Sequence, residues 1–280
     1  MKTIGFVDYY ISEWHANNYP TWIKAAGEKI GEDIAVKYVW AEISKSPIDG
    51  VTTEEWCINH GAEQCLSMSE LCEKADYICI LAPSNPEKHL AYSAEVLKYG
   101  KNTYIDKTFA PDYAIAVEIF DIAKKHGTRF FSSSALRYAT ELESVSGVGS
   151  MKTTGCGSSF EEYIIHQAEM VVKTLRSSVD RVRVDVKDGV CYDCRVIFTD
   201  GKEASVSFSP SLPYAVGKDG TDELVPIKSA YFAALIEDMI RFYITGDVSF
   251  DIAETLEVMK LREMLIKAKN NLGEWINFEK

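Results

Sequence analysis

The chain predicts an α/β protein: a Rossmann-type, doubly wound parallel sheet over residues 1–135, followed by an α+β domain with an antiparallel sheet over residues 136–280. Three observations predict it. Short apolar runs alternate with helix-period segments through the first half, the pattern of parallel strands joined by crossover helices. The second half switches to two-residue alternation broken at Asp188-Gly189 and Asp200-Gly201, both hairpin-turn pairs. Finally, 280 residues exceed what one hydrophobic core usually organises, so two domains are expected.

In the first domain TIGFV reads as the first strand, IAVKYVWA as the second, YICILA as the third, NTYID as the fourth and TRFFSSS as the fifth. Between the third and fourth, NPEKHLAYSAEVLKYGK has apolar residues at helical spacing, Pro86 near its start and Gly100 at its end. After the fourth, DYAIAVEIFDIAKKHG stops in the same way at Gly127. Right-handed crossovers then make a doubly wound sheet the economical arrangement. In the second domain the helix FEEYIIHQAEMVVKTLR precedes three alternating strands. Val182, Val184 and Val186 share one face of the first of these, and Arg181, Arg183, Asp185 and Lys187 share the other. Two later helical stretches, AYFAALIEDMIRFYITG and IAETLEVMKLREMLIKAKNNLG, either cover this sheet or pack back on the first domain.

Composition excludes several function classes. A net charge of −12 without a basic run argues against nucleic acid and anionic membrane surfaces as partners. Asp8 interrupts the N-terminal apolar stretch and no later run reaches membrane-span length, so an unexported, non-membrane protein is expected. The seven cysteines are odd in number and scattered, which fits a reducing cytoplasm. Cys191 and Cys194 form a C-x-x-C, but within an alternating strand they point to opposite faces and read as plain thiols.

Ligands of open parallel sheets bind at the carboxyl ends of the strands, here DYY, APSNP, DKT and SSSALRY. The stretch ADYICILAPSNPEKHLAYSAEVLKYGKNTYIDKTFA, followed by ALRYATEL, EEYIIHQAEMV and YITGDVSFDIAETLEVM, resembles in order and spacing the glucose-fructose oxidoreductase and inositol dehydrogenase family, Gfo/Idh/MocA. The resemblance covers nearly the whole chain. It implies an oxidoreductase that uses NAD or NADP on a hydroxyl of a sugar, cyclitol or similar polyol, and a homo-oligomer formed through the antiparallel sheet.

The resemblance also implies roles for residues. Lys107 of DKT matches the lysine of the family's Glu-Lys-Pro motif, which reaches between nicotinamide and substrate; Asp106 replaces the glutamate and Thr108 the proline. Glu162 and His166 match a D-x-x-x-H pattern, His166 as the base that takes the hydroxyl proton as hydride leaves, Glu162 as its support one helical turn away. Ser84 and Asn85 fall where the cofactor's ribose and nicotinamide are lined, and Arg137 and Tyr138 where substrate is met. Plainer readings stand beside these. Lys107 alone is a solvated strand-end lysine; Glu162, His166, Glu169 and Lys173 form the wet face of an amphipathic helix; Ser84-Asn85-Pro86 starts a helix; Arg137 tethers two domains. His15 reads as structural, and Trp14, Trp22 and Trp40 as packing residues. A metal is not expected, because one helix rarely supplies a coordination shell.

One segment departs from the resemblance. Where the family has strand, G-x-G-x-x-G and helix, this chain has DYYISE, residues 8–13, with all three glycines absent. Glycine there permits the tight turn and the close approach of backbone to pyrophosphate. Asp8, Tyr10 and Glu13 stand in the glycines' places and oppose each requirement, with Asp8, Tyr9 and Tyr10 placed to face the cofactor instead. A carboxylate about 4 Å from a phosphate charge costs roughly 4 kcal/mol at an effective dielectric of 20, against about 8 kcal/mol for micromolar binding. Dinucleotide binding is therefore expected to be weakened, unless Asp8 turns into the protein and the amides around Ser12 to Trp14 still meet an anion. Glu42, near the end of the second strand, stands where an acid would hold ribose hydroxyls. The alternative function is a non-redox sugar-binding or regulatory relative without dinucleotide binding.

Overall fold

The computed structural model describes residues 1–278. Contacts divide the chain into two units: Met1–Ser133 with Ala233–Phe250, and Ser134–Phe232 with Asp251–Lys280.

The first unit is built on a six-stranded parallel sheet in the order β3-β2-β1-β4-β5-β6. Its strands are β1 (Lys2–Asp8), β2 (Ile34–Ala41), β3 (Glu63–Gln64), β4 (Tyr77–Ile80), β5 (Thr103–Ile105) and β6 (Phe130–Phe131). Ile4, Phe6 and Val7 of β1 and Ile78, Cys79 and Ile80 of β4 are fully buried, as central strands covered on both faces require. The order reverses between β1 and β4, which opens the crevice where such sheets take ligands. The helices are α1 (Trp14–Ile30), α2 (Thr53–His60), α3 (Met68–Lys74), α4 (His89–Val96) and α5 (Tyr113–His126). Asp112 caps the start of α5, and α5 ends at Gly127 in the left-handed region, as the sequence suggests. Gly5 is required by packing, since a Cβ there would stand 2.5 Å from the Leu71 side chain of α3. The sequence pattern did not single out α2, α3 or β3, which are eight, seven and two residues long.

The segment 233–250 closes this unit. It carries most of α7 (Tyr231–Thr245), whose Tyr243 stacks on Tyr77 with ring centroids 5.0 Å apart and donates its O–H to the Ile78 carbonyl at 2.9 Å.

The second unit holds a seven-stranded sheet in the order β12-β11-β7-β10-β9-β8-β13. Its strands are β7 (Ser150–Gly155), β8 (Val179–Asp188), β9 (Cys191–Phe198), β10 (Glu203–Phe208), β11 (Ala215–Lys218), β12 (Val225–Pro226) and β13 (Trp275–Asn277). The expected hairpins are β8-β9 and β9-β10, but β7 joins β10 in parallel, so the sheet is mixed and larger than the three-stranded meander read from the sequence. α6 (Phe160–Leu175) packs on β7 and β10, and α8 (Ala253–Lys269) packs on α6 and β8. Val182 and Val184 lie beneath these helices fully buried, whereas Val186 is 45% exposed. The expected apolar stripe therefore stops where β8 runs out toward its hairpin. All seven cysteines are free.

Candidate functional site

In the first unit the ends of β1, β4 and β5 lie side by side at the crevice. Asp8 ends β1 and turns inward, 1% exposed. Its Oδ1 accepts the N–H of Tyr9 at 2.7 Å and of Ala82 at 3.0 Å, and its Oδ2 is buried without a hydrogen-bond partner. The Ala82 contact holds a non-glycine residue at φ 50, in the left-handed region. Burial, and then the Glu13 carboxylate, push the Asp8 carboxyl well above the usual carboxylate range.

The chain does not turn tightly after Asp8. Pairing with the β2 side continues, Glu42 N–H to Asp8 O at 3.0 Å and Ile43 N–H to Tyr9 O at 2.9 Å. Tyr9 and Tyr10 are half-buried, their rings 5.9 Å apart, and the Lys88 ammonium lies 4.8 Å from the Tyr9 ring centre. Residues 11–13 are buried. Ser46 Oγ donates to the Ser12 carbonyl at 2.9 Å, and Ser12 Oγ donates to Asp49 at 2.7 Å.

Glu13 follows in extended conformation and caps α1. Its Oε1 accepts the Ala16 N–H at 2.5 Å; its Oε2 accepts the His15 N–H at 2.8 Å and meets His15 Nδ1 at 3.2 Å. A phosphate at a helix start relies on those same first-turn N–H groups. Here a carboxylate of the chain itself takes them, so the residues present do not fit a pyrophosphate at the start of α1. The sequence places Glu13 among three residues opposed to a pyrophosphate but does not name it as a cap; its position directly before the helix, with N–H groups two and three residues on, was the available signal.

At the end of β5, Asp106 is 1% exposed, and its Oδ2 accepts from Lys107 Nζ at 3.1 Å. His15 Nε2 lies 3.8 Å from Asp106 Oδ1, so His15, expected to be structural, bridges the helix cap and this carboxylate. Burial opposes ionisation of Asp106, but Lys107, His15 and His89 outweigh it and hold the carboxyl down at about 2. A depressed folded-state value stabilises the fold above the unfolded value of about 4, and that contribution is lost as pH falls through about 2. At about 1.4 kcal/mol per unit it amounts to about 2 kcal/mol. Denaturant titrations of the protein and of Asp106→Asn should therefore converge as pH falls from about 4 toward 2. Parallel curves over that range would remove the Asp106 contribution.

The remaining first-unit candidates are more ordinary. Ser84 is exposed, and Asn85 begins a short 3-10 turn and donates from Nδ2 to Glu87 at 3.1 Å. Glu42 accepts from Lys88 at 2.5 Å and from the Tyr92 hydroxyl at 2.8 Å, which occupies both oxygens of the expected ribose acid.

In the second unit Ser159 caps α6 by accepting the Glu162 N–H at 3.3 Å. His166, one turn further along, is half-buried, with the rings of Tyr163 and Tyr214 at 5.9 and 5.8 Å. Its Nδ1 forms a 2.7 Å hydrogen bond with Ser134 Oγ, a partner the sequence did not reveal because it lies 32 residues away. The Ser134 N–H donates to Glu169 Oε2 at 3.1 Å, Glu169 Oε1 accepts from Arg137 Nε at 2.5 Å, and Arg137 Nη1 meets Glu254 at 2.7 Å. Lys173 Nζ donates to the Arg137 carbonyl. Arg137, expected to meet substrate, is instead 4% exposed and enclosed with two acids. Glu169 is likewise buried, so this stripe of α6 is not simply a wet face. Tyr138 is half-buried beside it in sequence.

Among the described residues no group of three or more His, Cys, Asp or Glu side chains could hold a metal ion, and no helix is long and apolar enough to cross a membrane.

A parallel sheet reversing between β1 and β4, followed by a unit with a large mixed sheet and two covering helices, is the two-unit fold of the Gfo/Idh/MocA-type dehydrogenases. Among solved structures the chain is similar to a myo-inositol dehydrogenase from Corynebacterium glutamicum, with TM-score 0.74 and 11% identity over 100% of this chain and 99% of that one. It is similar to the UDP-N-acetylglucosamine 3-dehydrogenase GnnA from Acidithiobacillus ferrooxidans, with TM-score 0.74 and 12% identity over 97% of each chain. GenD2 from gentamicin A biosynthesis, solved in complex with NAD, has TM-score 0.73 and 11% identity over 100% of this chain and 97% of that one. At such identities the likeness shows the fold. No family model matches the chain, and a search of curated proteins found no match.

Proposed function

We propose that this protein is an oxidoreductase acting on a hydroxyl of a sugar, cyclitol or similar polyol. The observation that carries this reading is the Asp106–Lys107 pair, an ammonium fixed on a buried carboxylate at the carboxyl end of β5, in a chain that matches dehydrogenases from end to end. Removing hydride from a carbinol carbon requires the hydroxyl proton to leave with it. His166 suits that task in the tautomer whose Nδ1–H donates to Ser134 Oγ, because Nε2 then holds a lone pair. Lys107 supplies a positive charge to a substrate oxygen, and Asp106 limits where that charge can go. GenD2, solved with NAD, makes NAD or NADP the candidate hydride acceptor; groups other than the start of α1 would have to hold its phosphates.

Ser134 is a positioning residue in this reading. Loss of one hydrogen bond is worth about 0.5–1.5 kcal/mol, so Ser134→Ala should lower kcat roughly two- to tenfold with KM unchanged and Ser134→Thr should restore it. A KM change with constant kcat would contradict that role.

A non-redox polyol-binding protein is the second reading, favoured by the Glu13 cap. Incubation with NAD or NADP and a panel of polyols separates the two. Reduced nicotinamide that appears with one polyol and is lost in Lys107→Ala supports the first. Calorimetric heat from a polyol with no reduced nicotinamide from any member supports the second.

The odd number and scatter of the seven cysteines support a reducing cytoplasm as its compartment. The outer face of β8, where Arg183 pairs with Asp185 and Arg181 lies 5.0 Å from the half-exposed Trp275 ring, is our candidate surface for self-association.

A further inference from the structure

We infer that Glu13 is the group that closes the start of α1 to the phosphates of a dinucleotide, and that Asp8 is not. The Glu13 carboxylate holds the first-turn N–H groups of His15 and Ala16 and the His15 ring together, at 2.5–3.2 Å. It is thus an internal anion at the place where an external one would bind, and a phosphate entering there would both lose its donors and meet a like charge. Two features fix it. Glu13 is 6% exposed, and its neighbour Ser12 is tied by backbone carbonyl and side chain to Ser46 and Asp49.

Asp8 has a different position. It points inward at the Tyr9 and Ala82 amides and does not contact the amides of α1's first turn. Burial and Glu13 also favour its uncharged form. The acid that the loop pattern makes most conspicuous is therefore a support for the turn after β4, and the acid that opposes phosphate stands five positions later.

The test uses ADP, which carries the pyrophosphate without the nicotinamide, so its result is independent of the redox reading. Calorimetry measures ADP affinity, and amide resonances of His15 and Ala16 report whether the helix start is the place of contact. Glu13→Ser keeps a good cap and removes the charge; Glu13→Gln is the second variant, keeping length, should the serine variant melt early. In the native protein we expect the two amides to stay unmoved at millimolar ADP. Either Glu13 variant should bind ADP at least tenfold more tightly with both amides shifting, and Asp8→Asn should bind as the native protein does. Micromolar ADP binding by the native protein with those amides moving would overturn the inference. So would Glu13 variants that fold and bind no better, or tightening by Asp8→Asn alone.

Discussion

Arg137→Met is expected to destabilise the protein by about 3–5 kcal/mol, because it leaves the buried Glu169 and the partly buried Glu254 without the cation they share. Arg137 meets both acids, at 2.5 and 2.7 Å, and its own side chain is 4% exposed. Removing one member of such a group strands the desolvated charge of the others, whereas replacing the group with apolar side chains of similar volume is often neutral. The triple replacement Arg137→Met, Glu169→Leu, Glu254→Leu should accordingly recover most of the loss in denaturant titration. An Arg137→Met protein within 1 kcal/mol of the native one, a threshold at the level of an ordinary exposed pair, would show that the network contributes no more than a surface contact.

The second large effect concerns His166. His166→Ala should lower kcat by about 10²–10⁴-fold, the usual range for loss of a general base, with little change in cofactor affinity. Its ring stands on α6 with the Tyr163 and Tyr214 rings at 5.9 and 5.8 Å, and Ser134 fixes one nitrogen. Because Ser134 is in turn held by Glu169, changes at Arg137 should lower activity even where the protein remains folded. An unchanged rate in His166→Ala would remove the imidazole from the chemistry and leave Lys107 as the main candidate.

The elements that could be read from the sequence were those with strong local signals. β2 follows the apolar run IAVKYVWA over its full length, and α5 ends at the glycine that its pattern required. Short elements lacked such a signal: β3 has two exposed residues, and α3 has seven residues with only Leu71 and Cys72 buried. β7 went unread because a strand of alternating small and polar residues, SMKTTG, resembles a loop until β10 and β11 pair with it. The return of 233–250 to the first unit depends on contacts such as Tyr243 with Ile78, 165 residues apart, which no local pattern encodes.

The candidate residues of the two units divide in the same way. Lys107 and His166 are candidates through the family resemblance, and what holds them was legible only in part: Asp106 adjoins Lys107 in sequence, while Ser134 reaches His166 from a distant loop. The loop DYYISE showed what was missing and not what had replaced it. Asp8 carries the obvious charge but turns inward, whereas Glu13 acquires its role only from the direction of two N–H groups on the following turn.

We propose that this chain handles the hydroxyl proton as a dehydrogenase would, while its own Glu13 occupies the start of α1. Calorimetric titration of the native protein with NADH at neutral pH tests it most directly. The expected Kd is no tighter than about millimolar, worth about 4 kcal/mol, because Glu13 takes the donors at the start of α1. A Kd of about 1 micromolar, some 8 kcal/mol, would contradict it.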